Sequence, residues 1–370
     1  MALFRRRSRG ADPVPSAPTA PSAPERPLDA ASARRAAEVA EADGRLIEAV
    51  DLYRMALRQT PDAALEAHLV ALRHLAFEEL TASGGRASWP PVYDDLTAEV
   101  AGPPTVTPDQ LSSAVLGSAI VNHGALHVKG LVRPDQVDSL VAGIDHAFDG
   151  RDAWGDDPGA DTAPWFVPFE PSPAYLPPDG LSRKWVREGG GVWAADSPRV
   201  MFEMLEAFDA IGLADVIGGY LGERPAVSMR KCTLRRVPAD LAHADWHQDG
   251  AFLGDDVRSV NVWLALTTCG GESDSPGLDI VPRRVSLLET GTEGALFGWS
   301  VGPGVVEQVV RETGGAVIRP TFEAGDALLF DDVFLHRTGV DPTLTTDRYA
   351  IESWFFAPST YPSDQIPLVF

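Results

Sequence analysis

From Pro225 onward the chain breaks into short apolar runs that can only be strands. Val227–Leu234, Ser259–Leu266, Leu278–Val281, Ala327–Phe330 and Tyr349–Phe356 are rich in β-branched and aromatic residues and are separated by Gly, Pro and Asp. A parallel α/β sheet would need a helical crossover of roughly a dozen residues between successive strands. Only Val305–Arg311 has helical spacing in this region. The expected fold class is therefore mainly β with flanking helices, its core an antiparallel double-stranded β-helix, or jelly roll.

The residues before this core divide by composition. Residues 1–30 form a Pro/Ala/Ser-rich tail, with Pro13, Pro15, Pro18, Pro21, Pro24 and Pro27, and lack the apolar surface to offset ordering. Residues 31–83 switch to helix formers, and the spacing Gly44…Ala49-x3-Tyr53-x2-Ala56-x4-Pro61 resembles half of a tetratricopeptide repeat. That resemblance implies a helical hairpin, in which small alanines let two helices approach, Tyr53 fills the groove and Pro61 ends the pair. The hairpin packs either on the main domain or on a protein partner. Residues 84–110, with Gly84-Gly85, Pro90-Pro91 and Pro103-Pro104, read as a linker, leaving 111–370 for the jelly-roll domain. Within it Ala125–Val128 is strand-like, Pro134 opens an amphipathic helix, and Val200–Leu221 is helical. The Trp-, Pro- and Gly-rich stretch 151–195 and the segment 283–316 are candidate lids.

Charge excludes several partners. Lys and Arg number 31 against 53 Asp and Glu, a net of −22. Such a surface repels nucleic acid and anionic membrane. No apolar run reaches the roughly 20 residues of a bilayer span, and Arg5-Arg6-Arg7 interrupts the N-terminus before any signal core. Two cysteines, Cys232 and Cys269, suit a reducing, cytoplasmic setting.

The chemistry concentrates in Trp246-His247-Gln248-Asp249-Gly250 and the distant Leu335-His336-Arg337-Thr338. His-x-Asp followed by a later His is the linear trace of a 2-His-1-carboxylate facial triad, which holds non-haem Fe(II) with positions left open. On a strand, His247 and Asp249 project to one face while Gln248 turns away. The bland alternative makes His247 a turn cap and His336 a core histidine.

The flanks resemble the phytanoyl-CoA dioxygenase family of Fe(II)/2-oxoglutarate oxygenases. The matching pieces are Val128–Val132 before the Pro134 helix, Trp246–Asp249, the Pro276–Pro282 turn, Phe322–Asp326 with Leu329-Phe330 and His336, and Arg348. The resemblance implies a metal site of His247, Asp249 and His336, and 2-oxoglutarate and O2 as co-substrates. It places the far carboxylate of 2-oxoglutarate on Arg348, twelve residues beyond His336, a pairing suited to a planar guanidinium. Thr338, Met229, Trp263 and Lys231 are further candidates for that pocket. The implied reaction is hydroxylation of an unactivated C–H bond in a small-molecule substrate, with release of succinate and CO2. An intact Asp249 favours that reaction, or a related desaturation or cyclisation, over halogenation. Where relatives continue Gly-Ser-His, this chain has Arg283-Arg284-Val285, either a pair of cations for an anionic substrate or neutralisation of nearby acids. Two other readings stay open: a non-catalytic binding module, and a cupin-like metal enzyme without 2-oxoglutarate.

Overall fold

Asp29 caps the first described helix by accepting the Ser32 N–H at 2.8 Å. The computed structural model describes residues 28–80, 88–97, 102–176, 180–254, 256–362 and 364–370. The Pro-rich tail through residue 27 therefore lies outside the described residues, as do 81–87 and 98–101 around the expected linker.

Helices α1 (Ala30–Ala42) and α2 (Leu46–Gln59) pack through Ala33, Ala37, Ala40, Ala49 and Ala56, all buried. Tyr53 lies between them and donates to Glu41 at 2.9 Å. Pro61 does not end the unit. Asp62 immediately caps a third helix, α3 (Ala63–Leu75), accepting from Leu65 N–H at 3.0 Å. Leu65, Leu69 and Leu72 recur on one face of α3 and enter the same small core, so three helices stand where a hairpin was expected.

The main body follows: β1 (Thr105–Val106), α4 (Ser113–His123), β2 (Ala125–Val128), α5 (Pro134–Asp156), α6 (Lys184–Glu188), β3 (Gly191–Trp193), α7 (Pro198–Asp209) and α8 (Leu213–Leu221). Next come β4 (Ala226–Val237), β5 (Ser259–Ala265), β6 (Leu278–Arg284), α9 (Pro303–Thr313), β7 (Ala327–Phe330), β8 (Phe334–Thr338), β9 (Arg348–Phe356) and β10 (Pro367–Val369). The expected helix over Val200–Leu221 is two helices, because Gly212 adopts φ +69°, a left-handed conformation that ends α7 and starts α8. The expected linker is partly structural: β1 pairs with β2 in parallel, and Leu96 N–H donates to Ser118 on α4 at 2.8 Å.

Eight strands form one mixed sheet in the order β1-β2-β7-β5-β9-β4-β10, with β3 also pairing β4, while β6 and β8 form a second, two-stranded sheet. Alternation splits the interior. Val260, Val262, Leu264, Ile351 and Phe355 face α4, α5, α7 and α8 in the larger core. Trp263, Ala265, Leu328, Phe330 and Ala350 point the other way, joining Leu278, Ile280 and Phe334 of the small sheet. Each fully buried Val, Leu, Ile or Phe among them contributes on the order of 1.5–3 kcal/mol.

The N-terminal helices close the exposed end of the large sheet. Arg73 donates to Val369 O at 2.6 Å, and His74 Nδ1 lies 2.8 Å from Pro367 O, so α3 occupies the carbonyls of edge strand β10. Arg54 adds ion pairs to Glu206 at 2.6 Å and Asp209 at 2.8 Å on α7, and Arg199 pairs with Glu66 at 2.6 Å. Among the described residues no helix is long and apolar enough to cross a membrane.

A chain beginning at residue 88 should therefore expose β10 and Phe202 on α7. Size-exclusion chromatography is expected to show self-association or loss of soluble protein. A monodisperse monomer with an unchanged melting temperature would contradict the covering role of α3.

Candidate metal centre

Two segments nearly ninety residues apart are stitched together at the backbone. His247 N–H donates to His336 O at 3.0 Å, and His336 N–H returns to His247 O at 3.1 Å. This reciprocal bridge places the two imidazoles side by side, ring centres 4.4 Å apart. Asp249 does not continue a strand, as the i, i+2 reading required. It opens a short 3-10 turn, Asp249–Phe252, whose Gly250 N–H is held by Asp332 O at 2.7 Å. The turn still brings the carboxylate to the imidazoles: Asp249 Oδ1 lies 3.8 Å from His247 Nε2. One ligand atom from each of His247, Asp249 and His336 falls within 4.8 Å of the others, and among the described residues no other His, Cys, Asp and Glu group does this.

The donor chemistry suits a divalent metal. His247 Nδ1 lies 3.0 Å from Asp245 O, and His336 Nδ1 lies 3.0 Å from Phe334 O. A carbonyl can only accept, so each Nδ1 carries the proton and each Nε2 lone pair is left for the metal. Burial, with His336 adjacent, pushes the His247 imidazole down to about 4. Burial likewise lowers His336 and pushes the Asp249 carboxyl up to about 6. At neutral pH the trio is thus two neutral imidazoles and one carboxylate. Asn261 steadies the other carboxylate oxygen, with Nδ2 3.4 Å from Asp249 Oδ2.

Gln248 turns away from the metal, as expected, but not to solvent. It is 1% exposed, and donates to Val333 O at 2.6 Å and Ser286 O at 3.2 Å while accepting from Leu288 N–H at 2.8 Å. Asp245 accepts from Leu296 N–H at 2.8 Å and from the Ser300 hydroxyl. The segment 286–300 is thereby tied to the ligand-bearing peptide on both flanks.

Arg348 sits at the start of β9, 1% exposed, and its Nη1 donates to Pro276 O at 3.1 Å and Gly277 O at 3.0 Å. Its Nε has no partner, and among the described residues no carboxylate forms an ion pair with it. Burial lowers its pKa. The guanidinium lies 5.3 Å from the centre of the Trp263 ring, whose buried Nε1 is also unpartnered. Pro276 and Gly277 lead directly into Leu278, which pairs with Thr338, two residues from His336 on β8. Two strand residues span about 7 Å. Arg348 is thus anchored beside the Leu278–Thr338 pair, two residues along β8 from His336.

Two candidates from the sequence fall elsewhere. Met229 follows Val227 by two residues and shares its face, packed in the helix-side core rather than between the sheets. The four residues of β4 between Val227 and Cys232 oppose only Trp354 of β9, and this bulge hides the true facing from any simple alternation. Lys231 emerges from the same bulge toward the inter-sheet side, but beside Trp354 and not beside Arg348. Arg284 is absorbed by Asp331 at 2.8 Å, whereas Arg283 donates to the Pro282 carbonyl and has no ion pair among the described residues. Arg337 points outward and pairs with Asp279 at 3.0 Å. Sequence reading missed Asn261, Phe252, Trp299 and Trp354. A polar Asn within an otherwise apolar strand was the one available signal.

No protein-family model and no curated protein matches the chain. Among solved structures it is similar to AviO1 from Streptomyces viridochromogenes Tue57, at 18% identity over 68% of this chain and 97% of that one, with a TM-score of 0.41. It is also similar to apo EctD from S. alaskensis, at 19% identity over 75% and 85% of the two chains, TM-score 0.47. A third similarity is to SnoN, described as a non-heme alpha-ketoglutarate-dependent epimerase from nogalamycin biosynthesis, at 15% identity over 64% and 79%, TM-score 0.39. Likenesses this distant carry no weight in assigning the site, which rests on its own geometry.

Anaerobic Fe(II) at a hundred times its dissociation constant should stabilise the protein by about 2.7 kcal/mol. His336→Ala is expected to abolish the rise in melting temperature. An equal rise in the variant would place the metal elsewhere.

Proposed function

We propose that the protein is an Fe(II)- and 2-oxoglutarate-dependent dioxygenase that hydroxylates a C–H bond of a small molecule, akin to the phytanoyl-CoA dioxygenase family. The two sheets are read as the halves of a double-stranded β-helix, with the metal between them at the open end. The observation that carries this reading is Arg348, a buried guanidinium with no carboxylate partner among the described residues, set near a 2-His-1-carboxylate cluster. An isolated buried charge is costly unless paired. Arg348 keeps its Nε unpartnered near the cluster, a donor that an anionic co-substrate would meet.

In this reading His247, Asp249 and His336 hold iron on one face. Arg348 takes the far carboxylate of 2-oxoglutarate, with Trp263 Nε1 as a second unpaired donor beside it. Thr338 lies two residues along β8 from His336, its hydroxyl available to the same molecule. Iron with 2-oxoglutarate supplies O2-driven oxidation of a C–H bond, coupled to formation of succinate and CO2. The chain's own contribution is placement and exclusion of water. Phe322, Phe330 and Phe334 wall the co-substrate side, all fully buried. Asn261 keeps Asp249 oriented, and the Nδ1 contacts keep both imidazoles presenting Nε2.

The test is an anaerobic titration of the Fe(II) protein with 2-oxoglutarate, following the weak visible charge-transfer band, and then succinate release in air. Absence of both would end the proposal. Arg348→Met should raise the 2-oxoglutarate concentration needed at half-saturation by about 30-fold or more, the cost of losing a buried charged partner. Iron binding should persist in that variant. An unchanged midpoint would remove Arg348 from the co-substrate site.

A further inference from the structure

A second cation lies near the cluster of His247, Asp249 and His336. Lys231 Nζ stands 4.3 Å from the centre of the Phe252 ring, 4.6 Å from Trp354 and 5.4 Å from Trp185. Among the described residues it has no hydrogen-bond or ion-pair partner. Asp249 and Glu352 act on its charge without pairing with it, since Glu352 is engaged by Arg235 at 3.0 Å. Burial lowers the Lys231 pKa, as expected for an ammonium among rings.

The rings around Lys231 continue to the metal. Phe252 ends the turn that Asp249 begins. Trp299 meets Phe252 edge-on at 5.6 Å and His247 edge-on at 5.6 Å. Trp299 is 38% exposed, so this wall reaches solvent, while Trp354 beneath it is 4% exposed. The result is an open apolar trough with one unpaired positive charge at its end and a metal ligand along its side.

We propose that this trough is the binding site of the primary substrate, and that the substrate bears an anionic group, a carboxylate above all, on a flat apolar body. The inference rests on the iron-oxygenase reading of the triad. Lys231 takes the anion, and Phe252 and Trp299 take the body, which brings a carbon of that body to the metal. A cation–π contact is worth about 0.5–2 kcal/mol, less than a charge-assisted hydrogen bond to an incoming anion gains in the same desolvated place. 2-Oxoglutarate is not that anion. Trp354 and Arg348 are six residues apart on β9, about 20 Å of strand. Arg348, tied through Gly277 to the strand that pairs with Thr338, takes the dicarboxylate, and Lys231 is left for a second anion.

The experiment uses the full-length protein with Fe(II) and 2-oxoglutarate under anaerobic conditions, titrated with 3-phenylpropionate, indole-3-acetate and their neutral amides. Tryptophan fluorescence and calorimetry report binding. Each carboxylate should bind about tenfold or more tighter than its amide. Lys231→Met should erase that preference and Lys231→Arg should keep it, with the 2-oxoglutarate charge-transfer midpoint unmoved in both. Equal binding of acid and amide by the unaltered protein overturns the proposal, as does binding of neither or a preference that survives Lys231→Met. A weakened 2-oxoglutarate midpoint in Lys231→Met would assign the lysine to the co-substrate and overturn it too. If the unaltered protein shows no charge-transfer band yet keeps the acid preference, the iron reading fails and the anion site stands.

Discussion

Everything at the site depends on the pair of backbone hydrogen bonds between His247 and His336. Each histidine holds the other's peptide, so neither ligand can be misplaced without breaking the bridge that positions both. The bridge is isolated, outside any strand ladder, and it joins the loop before Asp249 to β8. The large sheet supplies rigidity, but this two-bond contact converts rigidity into a ligand set. The side-chain contacts of Asp245 and Phe334 carbonyls then fix the tautomers, leaving Asp249 as the only charged member.

A net charge of −22 makes the location of unpaired cations informative. Most arginines have acidic neighbours to spare: Arg284 takes Asp331, Arg235 takes Glu352, and Arg319 shares Asp279 with Arg337. Arg348 and Lys231 stay without carboxylates among the described residues despite that surplus. Arg73, equally buried without a carboxylate, is answered by the Val369 carbonyl, whereas Arg348 keeps an unpartnered Nε and Lys231 meets only rings.

The strands and the triad were legible because they obey local rules. Alternating apolar runs bounded by Gly and Pro place β5, β7 and β9 within a residue or two, and the His-x-Asp spacing points to the ligands directly. What stayed hidden depends on contacts between distant segments. The four residues between Val227 and Cys232 that oppose Trp354 alone put Met229 into the helix-side core and swing Lys231 toward the rings, and no window of sequence shows such a bulge. Pro61 looked like an end because proline stops one helix, yet Asp62 starts another in the next step. The aromatic trough is assembled from α6, the Asp249 turn, the 286–300 segment and β9, four pieces with no shared periodicity.

Gln248 sits between two ligands and spends all its polar atoms on Ser286, Leu288 and Val333. The loop carrying Trp299 is thus anchored to the same three-residue stretch that grips the metal. An engineer wishing to exchange that loop for another could not treat it as a removable cover. The graft would have to reproduce a carbonyl and an N–H at the right offsets for one buried amide, or the peptide bearing His247 and Asp249 would shift with it. Specificity and metal geometry are in this sense written on a single hinge-free piece of backbone, and they would have to be redesigned together.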